Sequence, residues 1–200
     1  MMFSKSRFCR MSVMTAFAVA SATFTSSGAF AAVQCGASAI SIPANIDGVY
    51  MNIATGATGT AGSGVAGWDI NLYQTGASAL YFFWPSTPAT SSGGLADGSG
   101  TVYASLASGA AVDASGTYIV SSGGGGPAPF VNWQTASTGK YLGVRFFNEA
   151  TSSINYAWLQ INTGASGGFP ATINAYCFEN GGTGISTGTT PVTLQNYSVD

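Results

Sequence analysis

Histidine is absent, and among 200 residues there are only five Lys or Arg and seven Asp or Glu. Without histidine there is no Ser-His-Asp or Cys-His nucleophile, no imidazole base and no His-ligated metal. A Ser-Lys mechanism would have to use Lys140, the one lysine beyond the first ten residues, and no serine stands in a recognisable motif with it. Scarce cations also argue against polyanionic partners, because Lys and Arg carry the attraction to nucleic-acid phosphates and to anionic lipid. No stretch after the N-terminal thirty residues shows a sustained 3.6-residue apolar pattern with caps, so almost no helix is expected there. Neither an Asp-x-Asp-x-Asp-Gly loop nor a Gly-Gly-x-Gly-x-Asp repeat occurs, and GVAGWD (64–69) and LADGSG (95–100) are only weak hints of calcium. No metal and no cofactor is expected.

What is present begins at the N-terminus. Lys5, Arg7 and Arg10 precede the apolar stretch MSVMTAFAVASATF, and Ala29-Phe30-Ala31 supplies small residues where a signal peptidase reads. Residues 1–31 therefore read as a signal peptide with a signal helix, cleaved between Ala31 and Ala32. The stretch is shorter than the ~20 apolar residues of a membrane span and is broken by Ser and Thr. Gln34 and Val33 before Cys35 do not make a lipobox. Residues 32–200 have the length of one domain with a real core, and seven acidic residues against Lys140 and Arg145 leave a net charge of −5 (2 − 7). Disorder goes with low hydrophobicity and high net charge, and here aromatic and β-branched residues are plentiful, so the chain should fold.

Cys9 leaves with the signal. Cys35 and Cys177 then lie near opposite ends of an exported domain, which makes an intramolecular disulfide the expectation. Closing so long a loop is worth roughly 4 to 5 kcal/mol in the chain-entropy model. Two cysteines without histidine or nearby acids do not make a zinc site.

Runs rich in Tyr, Phe, Trp, Ile and Val recur between Gly, Ser, Thr and Asn clusters: 46–53, 67–73, 78–84, 101–106, 117–120, 140–147, 154–161 and 171–178. They read as short strands, and so many predict an all-β chain, an antiparallel β-sandwich of jelly-roll-like kind with an open barrel as the second choice. In the last run, alternation puts Ile173, Ala175 and Cys177 on one face and Thr172, Asn174, Tyr176 and Phe178 on the other. Segments 86–100 and 121–134 read as long Gly/Pro connections, either binding loops or surface loops without a ligand. Beyond Glu179 the chain reads as a fraying tail or one last edge strand.

The run YLGVRFF, then NYAWLQI, then INAYCFEN with GGTGISTG resembles the β-rich module of bacterial exported proteins of the PEP-CTERM (exosortase-sorted) type. Gly143, Arg145 and Phe146 match its first element, Tyr156 and Trp158 its second, and Ala175, Tyr176 and Glu179 its third. Ala157 and Gln160 depart from the Gly and Arg of the pattern, Cys177 and Phe178 intervene before the Glu, and no Val-Pro-Glu-Pro anchor follows. The resemblance implies an exported β-rich protein, and without that anchor one released or held by other contacts. Read from the residues, Tyr156 and Trp158 share a strand face and pack in the sandwich core beside Tyr141 and Phe147. Arg145 needs a partner, with Glu149 or Glu179 the candidates.

These readings lead to a secreted protein, with the periplasm as the alternative, that is non-enzymatic and serves binding, adhesion or an extracellular matrix. Self-association or an extracellular glycan is the expected partner, with no catalytic residue assigned. One alternative is a carbohydrate-binding module using Trp133, as well as Trp68 and Asp69, with Trp133 favoured because it follows the Gly/Pro loop. The other is a hydrolase built on carboxylates alone, which requires two of Asp47, Asp69, Asp97, Asp113, Glu149 and Glu179 to converge in a cleft.

Overall fold

A computed structural model describes residues 32–36, 39–76, 78–86, 92–122, 126 and 128–191. The expected signal peptide, residues 1–31, with Ala31 of its expected cleavage site, and residues 192–200 of the tail lie outside the described residues.

The strands are β1 (Val33–Gly36), β2 (Ile40–Ile42), β3 (Val49–Met51), β4 (Thr58–Gly59), β5 (Ile70–Gln74), β6 (Leu80–Phe83) and β7 (Gly93–Leu95), then β8 (Ala111–Val112), β9 (Tyr118–Ile119), β10 (Ser137–Asn148), β11 (Ser153–Gly164), β12 (Gly168–Glu179) and β13 (Ile185–Ser186). One sheet runs β1-β12-β11-β10-β7-β9, with β2 on the other half of β12; a second runs β4-β3-β5-β6; β8 and β13 form a separate ribbon. All of these pairings are antiparallel.

Alternation explains how the sheets pack. Leu142, Val144 and Phe146 of β10 and Ala157, Leu159 and Ile161 of β11 point one way and are fully buried against Met51, Ile70, Leu72, Leu80 and Phe82 of the four-stranded sheet. Burying each such large side chain is worth roughly 1.5 to 3 kcal/mol, so this shared core holds the two sheets together. The intervening residues Tyr141, Tyr156, Trp158 and Cys177 meet Val112 and Ile185 of the ribbon in a second, smaller cluster. Tyr156 and Trp158 do share a face, with Trp158 edge-on to Tyr141 at 5.1 Å, but that face belongs to the ribbon side and not to the core between the sheets.

Cys35 and Cys177 stand directly opposite each other on β1 and β12 and are joined by a disulfide with their Cα atoms 4.0 Å apart. Such a bond belongs to an oxidising compartment. Among the described residues no helix is long and apolar enough to cross a membrane.

Four expectations are corrected. The register of β11 with β12 steps from Gln160–Ala175 to Ile161–Ile173, so an extra residue bulges out and reverses the alternation. Ile173 thereby joins Tyr176 and Phe178 on the main core, while Ala175 and Cys177 face the second cluster. Residues 101–106 form no strand, only single bridges at Tyr103 and Leu106. Segment 86–100 is not simply a loop: Gly93–Leu95 is β7, held between β10 and β9. Segment 121–134 closes in a 3-10 helix over Ala128–Trp133 that turns Phe130 and Trp133 inward. Beyond Glu179, Ile185–Ser186 pairs with β8 as a short strand.

Candidate functional site

Three of the four tryptophans are structural. Trp133 is fully buried, 5.9 Å from the Phe82 ring, and presents no face to a ligand, so its expected place on a binding platform is corrected: the 3-10 helix that ends at it fills the core. Trp84 Nε1 donates to Tyr103 Oη (2.7 Å), which donates in turn to the Ser121 carbonyl. Burial raises the Tyr103 phenol well above its usual range, so it stays a donor. Trp158 is buried beneath the ribbon.

Trp68 alone among them is part-exposed. On the outward face of the four-stranded sheet, Tyr50, Asn71 and Phe83 stand side by side across β3, β5 and β6. The Trp68 ring meets Tyr50 edge-on at 4.9 Å and stacks on Phe83 at 5.8 Å with 22° between planes. Asn71, between Tyr50 and Phe83, is only 2 % exposed, while Phe83 remains 40 % exposed. The result is an aromatic surface with one wet side.

Asp69 follows Trp68 and points to the inner edge of this surface. Asn52 holds the segment in place: its Nδ2 donates to the Ala66 and Gly67 carbonyls at 2.9 and 2.8 Å, and its Oδ1 accepts from Thr55 N–H. Asp69 N–H then continues the β3 pairing by donating to the Met51 carbonyl, and Asp69 Oδ2 accepts from Ile53 N–H at 2.8 Å. The carboxyl is 2 % exposed. Loss of solvent pushes its pKa up to about 8, the nearby Glu149 charge adds to the rise, and the Ile53 N–H bond opposes it.

Glu149 arrives from the turn between β10 and β11 and lies against Gly67. Trp68, Asp69, Ser86, Ser92, Phe147 and Glu149 line a cleft of about 220 Å³. On the far side of Gly67 and Glu149 is a more apolar hollow of about 400 Å³ bordered by Asn52, Ala54, Thr55 and Ala150. The cleft is smaller than the ~300–1,000 Å³ that enclose a drug-sized ligand, so it suits one ring or one chain end, with the rest lying over the surface.

The other carboxylates described in detail serve turns. Asp97 and Asp113 accept from Ser99 and Ser115, bonds that hold both below their usual pKa. Glu179, 3 % exposed, accepts from Gly181 and Thr183 N–H at 2.5 and 2.7 Å. Tyr156 separates it from Arg145 across the sheet, and the Arg145 guanidinium lies 5.0 Å over the Tyr118 ring. Among the described residues no three His, Cys, Asp or Glu gather closely enough to hold a metal.

Of the residues singled out in the sequence, the structure brings together Trp68, Asp69 and Glu149 and sends Trp133 elsewhere. Tyr50, Asn52, Gly67 and Phe83 were missed. Phe83 was open to strand alternation, since Leu80 and Phe82 take the core face of β6. Asn52 and Gly67 act through contacts between separate loops, for which the sequence holds no local signal. Comparison with protein-family models, with curated proteins and with solved structures finds no match.

Proposed function

We propose that this is an exported, surface-associated protein of jelly-roll-like sandwich form that works by binding an uncharged carbohydrate. The sugar lies on Trp68 and Phe83 with one end in the Asp69–Glu149 cleft. The observation that carries this reading is the part-exposed Trp68, stacked with Phe83 at the mouth of a cleft whose polar lining includes Ser86, Ser92 and two carboxyls. Aromatic faces hold the apolar side of a sugar ring, and hydroxyls and carboxyls accept or donate to its rim. Among the described residues no Lys or Arg lines the cleft, which favours a neutral ligand over an anionic one. The disulfide and the signal peptide read from residues 1–31 both support export.

A glycan and polysaccharide array with tryptophan fluorescence on each hit tests it. Saturable binding with a fluorescence change that Trp68→Ala abolishes is expected. Binding that survives Trp68→Ala unchanged would move the site elsewhere, and an array without hits would leave adhesion or matrix assembly through protein contacts as the reading to pursue.

A further inference from the structure

Two carboxyls reach the same cleft in unlike surroundings. Asp69 is almost fully enclosed, lines the cleft, and has one hydrogen bond to its carboxyl among the described residues, from Ile53 N–H. Glu149 is exposed, lies against Gly67 and lines the same cleft. Among the described residues no Lys or Arg lines the cleft beside them. Enclosing an uncompensated acid opposes folding, unlike the carboxyls of Asp97, Asp113 and Glu179, which each close a local turn.

We propose that the cleft hydrolyses a glycosidic bond of the carbohydrate it binds, with Asp69 donating a proton to the leaving oxygen and Glu149 activating the attacking water. The inference rests on the carbohydrate reading above. Burial in the wall of the cleft keeps the Asp69 proton on at neutral pH, whereas Glu149 stands open to solvent, where a water can reach it. One enclosed carboxyl beside one open to solvent is the division of labour that this chemistry needs.

The sugar bound on Trp68 and Phe83 would extend its linkage oxygen into the cleft toward Asp69. Asp69 transfers its proton to that oxygen as the bond from the anomeric carbon breaks, and both bonding electrons leave with the oxygen. A water then bonds to the anomeric carbon and passes a proton to Glu149. One water is consumed and two shorter saccharides form. Asp69 is left as carboxylate and Glu149 as acid, and proton exchange with solvent restores both. Ser86 and Ser92 lie within the same lining and can hold ring hydroxyls.

The test incubates the disulfide-bonded protein with cellohexaose, xylohexaose and chitohexaose in ¹⁸O-water. Binding is followed by tryptophan fluorescence and products by mass spectrometry. Shorter saccharides carrying one ¹⁸O at the new reducing end are expected from at least one of them. At saturating saccharide, Asp69→Asn and Glu149→Gln should each lower kcat on the order of 100-fold, the scale of a lost acid or base. Asparagine keeps the shape of Asp69, and Glu149 is exposed, so neither change threatens the fold. Binding without cleavage overturns the hydrolysis and leaves the binding reading standing. Cleavage undiminished in both variants overturns the assignment of residues, and neither binding nor cleavage overturns both readings.

Discussion

The carboxylate of Glu149 lies flat over Gly67, so close that a Cβ added there would stand 2.6 Å from Oε1 and 2.8 Å from Oε2. Gly67 also sits at φ +61°, where a side chain costs about 1 kcal/mol or more. The glycine therefore sets both the backbone path into Trp68 and Asp69 and the position of the acid opposite. Gly67→Ala should lower stability by about 1 kcal/mol from the dihedral alone and swing Glu149 off its seat, which would weaken the proposed carbohydrate binding. Gly64→Ala is the comparison, because that position is open and its φ is not in the left-handed region. Equal urea midpoints for the two variants would remove the argument.

Asp69 makes stability depend on pH in the direction opposite to a salt-bridged aspartate. Its pKa is about 8 folded against 3.8 in the open chain, so between those values the folded state holds a proton that the unfolded state has released. The contribution of this group is fully present below pH 3.8, declines as pH rises, and levels off above about 8. The steepest slope is about 1.4 kcal/mol per pH unit. Asp69→Asn, which keeps an acceptor for Ile53 N–H, should flatten the curve and gain its advantage at the alkaline end. Urea unfolding of both proteins across that window checks this, and parallel curves would argue that Asp69 is ionised when folded.

The Cys35–Cys177 bond closes a sequence separation of 142 residues and pins β1 to the end of β12. Reduction, or Cys35→Ala, should lower stability by roughly 4 to 5 kcal/mol in the chain-entropy picture. Cys35 is exposed, so its replacement leaves packing almost intact. Guanidinium unfolding with and without reductant measures the effect, and coincident curves would show that β1 contributes little to holding the ends together.

Trp133 and Trp68 separate stability from the proposed carbohydrate binding. Trp133→Ala empties the middle of the core and should lower stability by about 3 to 5 kcal/mol. Trp68→Ala removes a part-exposed ring and should lose far less stability. Thermal unfolding compared with carbohydrate titration distinguishes the two. The reverse ranking would return Trp133 to the binding surface.

The β10–β12 segment shows how much was legible. The runs 140–147, 154–161 and 171–178 all fall within strands, because β-branched and aromatic residues alternating over eight or more positions suit only a pleated sheet with two different faces. The very short strands were harder to see. Ala111–Val112 and Thr58–Gly59 carry almost no pattern of their own and exist because a neighbour's unpaired backbone is within reach. The bulge in β12 was invisible for a similar reason. It is a mismatch in length between two strands, and no residue within β12 announces it.

The chain's own residues determined its β-rich class and the pairing of Cys35 with Cys177, since side-chain periodicity and the number of available thiols are local or countable properties. The tertiary structure alone decided which tryptophan faces solvent and which two acids meet. Trp68 and Trp133 are the same residue beside similar glycine-rich turns, and only the direction in which each turn folds separates surface from core. Asp69 and Glu149 are 80 positions apart (149 − 69), and they share a cleft because β5 and the β10–β11 turn belong to sheets that one apolar core presses together.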